Sequence, residues 1–257
     1  MMLFTKGVIV VPNNIHLEIC IDSVRSARAA QEGGASRVEL CDNLLVGGTT
    51  PSYGMIKQVR QATDIDLHVL IRPRGGDFCY SEGELAVMLE DIRMAKELVA
   101  DGVVIGILNR EGRVNTEVAR RLILEARPLR ITWHRAFDLA REPAQALEDI
   151  IALGCDYLLT SGQQQTAFAG KELIAELVRQ AAGRITIMPG GGVREENIAE
   201  LRRVTGACEF HSSGRQVLAS PMQWQRTGLY MGAWQQSEYE LAFVDPKRVT
   251  AMLRAIR

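Results

Sequence analysis

Lysine is scarce in this chain. Of its 257 residues only Lys6, Lys57, Lys96, Lys171 and Lys247 are lysines, and arginine supplies the rest of the 30 basic side chains. None of these lysines falls at the end of a predicted strand, so Schiff-base chemistry finds no amine where a site is expected. Excess charge is also missing. A net charge of -1 gives no general attraction to nucleic acid or anionic lipid. No run approaches the roughly 20 apolar residues of a membrane span. The sequence has no G-x-S-x-G, P-loop or H-E-x-x-H. Its cysteines, Cys20, Cys41, Cys79, Cys155 and Cys208, form no C-x-x-C pair, so a structural zinc site is not expected. An odd, scattered set argues against a disulfide framework and for a reducing, cytoplasmic compartment. The opening MMLFTKGVIVVPNN has a short apolar run that stops at Pro12 and no small-residue cleavage site, so it does not read as a signal peptide.

What is present is a strict alternation. Short apolar runs, HLEICI, RVELC, DLHVLI, GVVIG, RITWH, DYLLT, RITIM and CEFH, are separated by longer helical patterns. Such runs suit parallel strands buried on both faces. Ser81-x-x-Glu84 is a capping box ahead of Leu85, Met88, Leu89, Ile92 and Ala95 at helical spacing. Pro51 and Pro143 sit as first-turn prolines would, and Gly33-Gly34, Gly154 and Gly183 sit where helices should stop. The unit count and the polar residues ending nearly every strand predict a single α/β (β/α)8 TIM-type barrel over 16–257, preceded by an extension over 1–15. Residues 212–245 break the rhythm and hold Trp224, Trp234, Tyr230, Met231 and Tyr239. That much aromatic and Met surface is expected to form a subunit interface, ahead of a lid.

Strand alternation puts Glu18 and Cys20 on one face, and Glu39 and Cys41 on one face. In matching register Cys20 and Cys41 would be near neighbours, about 5 Å apart between backbones, with the two glutamates one layer deeper. Two converging thiols suit Cu(I), although both also suit plain burial. The glutamates would serve as an acid/base pair or as partners of Arg72 or Arg74. Those arginines, in IRPRGGD, present cations at the mouth. His134 is a candidate proton shuttle, ligand or core residue, and Arg135 and Asp138 after it would pair with each other or orient it. Gly190, Gly191 and Gly192 after the seventh strand, with Ser212 and Ser213 after the eighth, expose backbone N–H groups where barrels often bind phosphate.

Taken together, LEICIDS, RVELCDNLLVGGTTPSYG, IRPRGGDFCYSEGE, ITWHRAFD, LLTSGQ, MPGGGV and EFHSS…SPM resemble the CutC copper-homeostasis family. This is not the glycyl-radical choline lyase that shares the name. The resemblance runs from about Leu17 to the C-terminus. It implies a (β/α)8 barrel, a cytoplasmic homo-oligomer, commonly a dimer, and Cu(I) binding by paired cysteines, which map to Cys20 and Cys41. Two readings therefore stand. One is a copper-homeostasis protein binding Cu(I) through Cys20 and Cys41. The other is an enzyme acting on a small anionic metabolite, a phosphate or carboxylate. It would be held by Arg72, Arg74, Gly190–Gly192, Ser212 and Ser213, with His134, Glu39 or Glu18 moving a proton. An oligomeric scaffold built on 212–245 is a third.

Overall fold

A computed structural model describes residues 15–232 and 237–256. Residues 1–14 of the expected 1–15 extension, and Trp234, lie outside the described residues. The expected alternation is the observed one. In chain order come β1 (His16–Ile21), α1 (Val24–Glu32), β2 (Arg37–Leu40), α2 (Tyr53–Ala62), β3 (Asp66–Leu70), α3 (Glu82–Glu97), β4 (Gly102–Ile105), α4 (Thr116–Ala126) and β5 (Arg130–Trp133). Then follow α5 (Pro143–Ala152), β6 (Tyr157–Thr160), α6 (Lys171–Ala181), β7 (Thr186–Pro189), α7 (Ile198–Thr205), β8 (Glu209–Ser212), β9 (Arg215–Ala219), β10 (Glu240–Val244) and α8 (Pro246–Ala255).

The first eight strands form one sheet in the order β7-β6-β5-β4-β3-β2-β1-β8, with every ladder parallel. The sheet curls into a nearly closed TIM-type barrel with the helices outside. Leu17, Ile19, Val38, Leu67, Val69 and Ile131 leave no side chain in water and form one core with the helices. Burying each such side chain stabilises by about 1.5–3 kcal/mol.

Local signals act as the sequence suggests. Ser81 and Glu84 make the reciprocal capping box of α3, and Leu85, Met88, Ile92 and Ala95 form its buried stripe. Pro143 opens α5. Pro51 does not open a helix: Ser52 is the N-cap of α2, which leaves Pro51 outside. Among the described residues no helix is long and apolar enough to cross a membrane.

Two expectations need correction. Residues 212–245, which showed no strand–helix rhythm, do hold regular structure, because β9 and β10 pair antiparallel as a hairpin between β8 and α8. The hairpin end of this insertion leaves Met222, Trp224, Leu229, Tyr230 and Met231 largely exposed. The register between β1 and β2 is also not the matched one: Glu18 pairs with Arg37, and Cys20 with Glu39. Closing a sheet into a barrel requires a stagger between neighbouring strands, so equal positions in two similar motifs do not end up side by side.

Candidate functional site at the barrel mouth

The inward face of β2 and its extension carries Arg37, Glu39 and Cys41, and that of β1 carries Glu18 and Cys20. The lower pair forms a buried charge network. Arg37 Nε donates to Glu18 Oε2 at 2.5 Å, its Nη2 donates to Glu209 Oε2 at 2.8 Å, and its guanidinium lies 4.3 Å from the Tyr157 ring centre. Glu18 Oε1 takes the Nδ1 of His211 at 2.7 Å. Arg72 and Arg74 are therefore not the partners of Glu18. Burial opposes the Glu18 charge, but Arg37 and His211 outweigh it and hold the carboxyl well below its usual range.

Above this network the two thiols meet. Cys20 Sγ and Cys41 Sγ lie 3.8 Å apart, both buried, and Cys41 Sγ is 3.4 Å from Glu39 Oε2. The other nitrogen of His211, Nε2, is 3.8 Å from the same Glu39 oxygen. Ligand atoms of Cys20, Glu39 and His211 fall within 4.8 Å of one another.

The electrostatics divide the cluster. The hydrogen bond from Cys41, helped by His211 and opposed by burial, lowers the Cys20 thiol to about 5. Donating that bond, together with burial, pushes Cys41 well above the usual thiol range. Burial pushes Glu39 up to about 8, with His211 acting the other way. Burial works against the His211 charge, yet Glu39, Cys20 and Glu18 outweigh it and raise its pKa well above the ordinary imidazole value. The arrangement presents one thiolate, one thiol and one buried cation.

These groups line a cavity of about 200 Å³ at the C-terminal ends of the strands, shared with Leu70, Arg72, Phe78 and His134. Arg72 is 5% exposed, and its Nη atoms donate to the carbonyls of Val46, Gly48 and Gly76 while its guanidinium packs over Phe78. Its donors are largely spent on pinning the loop after β2. Arg74 does not reach this cavity; it pairs with Glu84 and Asp77 beside the start of α3. His134 Nδ1 accepts from the Ala136 amide at 3.1 Å, and burial lowers its pKa to about 3. It is a neutral ring with its proton on Nε2.

Asp138 does not orient His134. It pairs with Arg135 at 2.7 Å and accepts from Thr160 Oγ1 and from the Ser161 and Gln163 amides, so it fixes the loop after β6. Gly190 sits against Leu159, whereas Gly191, Gly192, Ser212 and Ser213 line a second cavity of about 560 Å³ that shares Cys20 and His211 with the first.

Sequence reasoning passed over Arg37, Glu209 and His68. The inward period of RVELC, read back two residues from Glu39, points to Arg37. Glu209 offers no such signal, because its role depends on β8 closing against β1.

The CutC family model matches residues 15–216. A CutC family protein of Chromobacterium violaceum is 51% identical over 240 residues, covering 93% of this chain and 97% of its own. The mouse copper homeostasis protein cutC homolog is 45% identical over 241 residues, covering 93% of this chain and 89% of its own. The crystal structure of the copper homeostasis protein CutC from Streptococcus agalactiae superimposes with a TM-score of 0.74 at 38% identity, over 77% of this chain and 98% of that one. A match across most of the barrel, at these identities and with the same fold, makes this chain a member of the CutC family.

Proposed function

We propose that the chain is a cytoplasmic copper-homeostasis protein that takes Cu(I) as cargo between Cys20 and Cys41 at the barrel mouth. The observation that carries this reading is the 3.8 Å approach of two buried sulfurs from different strands. Soft thiolates in a site shielded from water select a soft monovalent ion. Loading requires the second thiol to give up its proton, so uptake releases protons and weakens in acid. Two thiolates around one Cu(I) carry a net negative charge, and the buried His211 cation beside Cys20 offsets it. Glu18 fixes the orientation of that cation through its Nδ1.

A second reading of the cluster has its own support. Cys20, Glu39 and His211 bring S, O and N donors within 4.8 Å, a set that suits Zn²⁺. The Glu18 contact at Nδ1 is the carboxylate–histidine arrangement usual behind a metal-bound imidazole.

Anaerobic titration of the reduced protein against a competing chelator separates the two. Tight binding of one Cu(I) that Cys41→Ser destroys, with His211→Gln retaining most of it, supports the thiol site. Zn²⁺ binding that ignores Cys41→Ser but is lost in His211→Gln favours the mixed site. If neither ion binds tightly, the metal assignment falls. The exposed Met222, Trp224, Leu229, Tyr230 and Met231 on the hairpin insertion suit a homodimer contact. Sedimentation of the full chain beside Trp224→Glu tests this, a unit-size shift being expected and unchanged mass overturning it.

A further inference from the structure

The second cavity has a composition that the copper reading does not use. Arg194, Arg215, Arg248 and His211 line it, and no carboxylate does. Two of these arginines are tethered from behind, Arg215 to Asp22 at 2.7 Å and Arg248 to Glu195 at 3.0 Å. Arg194 has no carboxylate partner among the described residues. With the other cations already paired, Arg194 is the charge left over for an anionic ligand.

The backbone agrees with the side chains. Gly191 and Gly192 have φ of +95° and +72°, and Gly214 across from them has +54°. The carbonyls of this turn are spoken for on its outer side. Gly191 O accepts from the Ala167 amide at 2.8 Å, Gly192 O from Asn197 Nδ2 at 2.9 Å, and Val193 O from Ser212 Oγ at 2.7 Å. The amides of Gly191, Gly192, Val193 and Ser213 have no acceptor among the described residues. A turn with satisfied carbonyls and unsatisfied N–H groups is a nest that prefers an anion to water.

Side chains would spoil it. A Cβ on Gly191 would come 3.3 Å from the Arg135 guanidinium, and one on Gly192 3.2 Å from Thr166, both at left-handed φ. The Ser212–Val193 bond ties the loop after β8 to the loop after β7, so both rims of the nest are held in one geometry. In this fold, the loops after strands 7 and 8 are where backbone amides often receive a phosphoryl group.

From the nest, the unpaired Arg194 and the absence of any lining carboxylate, we infer that the cavity between the β7 and β8 loops binds a phosphate group, free or carried on a small metabolite. The two mouth cavities share Cys20, Leu44, Gly191 and His211, so the remainder of a phosphomonoester would extend over the thiols. The groups that would hold the phosphate, the turn amides and Arg194, are not the proposed copper ligands, although Cys20 lines both cavities.

The test is isothermal titration of the full chain with inorganic phosphate and, in parallel, with glycerol 3-phosphate. The variants are Ser213→Asp, which places a carboxylate on the exposed rim, and Arg194→Ala, which removes the unpaired cation. Saturable binding is expected, weakened about tenfold or more by either variant, the loss of one charge-assisted hydrogen bond. Both variants should titrate Cu(I) as the parent does, which separates failure here from failure of the copper reading. Tighter binding of the inorganic probe identifies a free-phosphate site. Tighter binding of the organic probe, with slower alkylation of Cys20 in its presence, identifies a monoester site. Absence of saturable binding for both probes, or binding that neither variant weakens, would mean an adventitious ion only and would overturn the inference.

Discussion

Cys20 and Cys41 hold their sulfurs 3.8 Å apart although the β1–β2 ladder pairs Cys20 with Glu39. Cys41 lies one residue past the end of β2 and leans back across the register. Its single S–H is shared between Cys20 and the Glu39 carboxyl 3.4 Å away. The two cysteines are thus unequal in reactivity.

The first prediction is that Cys20 reacts well ahead of Cys41. With its pKa near 5 the Cys20 thiol is ionised at neutral pH, whereas an ordinary thiol is only a few per cent thiolate. Mass spectrometry after a short iodoacetamide pulse should find the label on Cys20. Cys41→Ala removes the bond that lowers this pKa, so the pH profile of labelling should move upward. Equal labelling of both cysteines would contradict the assignment.

Glu18 supports both Arg37 and His211, so Glu18→Gln should be costly. Removing one partner of a buried charge network destabilises by about 3–5 kcal/mol. Because the folded-state pKa of Glu18 is held down, its contribution is present above its unfolded value of 4.5 and is lost as pH falls through the folded value. Urea unfolding curves of parent and variant should therefore differ most near neutral pH and converge in acid.

His68 and His134 set a separate acid response. Burial lowers both to about 3. Each contributes stability that is present above about 6.5 and declines as pH falls toward 3. The slope approaches about 1.4 kcal/mol per pH unit for each histidine. His134→Asn keeps an acceptor for the Ala136 amide and should remove one proton from that slope between pH 6.5 and 3. An unchanged slope would mean that His134 titrates alike folded and unfolded.

The glycines of GVVIG make room for these rings. A Cβ on Gly106 would lie 2.3 Å from the His134 ring, and one on Gly102 2.5 Å from His68 Nε2. Overpacking of this kind costs about 1–3 kcal/mol or more. Gly106→Ala should lower the urea midpoint accordingly, while Gly83→Ala, with nothing within 4 Å, should not.

How far the sequence discloses this molecule can be judged element by element. The strand cores were legible because each is a short apolar run between capped helices, and the observed strand ends differ from the expected ones by one or two residues, as at β7 and β8. The hairpin β9–β10 was not, because one of its faces meets water and Val217 stays exposed, which blurs the period. The meeting of Cys20 with Cys41 was foreseen from alternation, but its register was not, since stagger is a property of the closed barrel. The Arg72 donors are taken by carbonyls from another loop, and no local pattern in IRPRGGD encodes that.

Closure of the barrel by β8 also has a bearing on synthesis. β1 needs β8 on one edge, Val244 N reaches Ser26 Oγ across 218 positions, and His211 stands beside Cys20 only once that strand has docked. At about 5–20 residues per second a ribosome takes roughly 10–40 s to cover such a span. Throughout that interval the nascent chain carries an uncapped strand edge and thiols without their cation. The thiol–imidazole cluster is thus among the last features this protein assembles as it leaves the ribosome, and a chain truncated before His211 would expose Cys20 without its histidine neighbour.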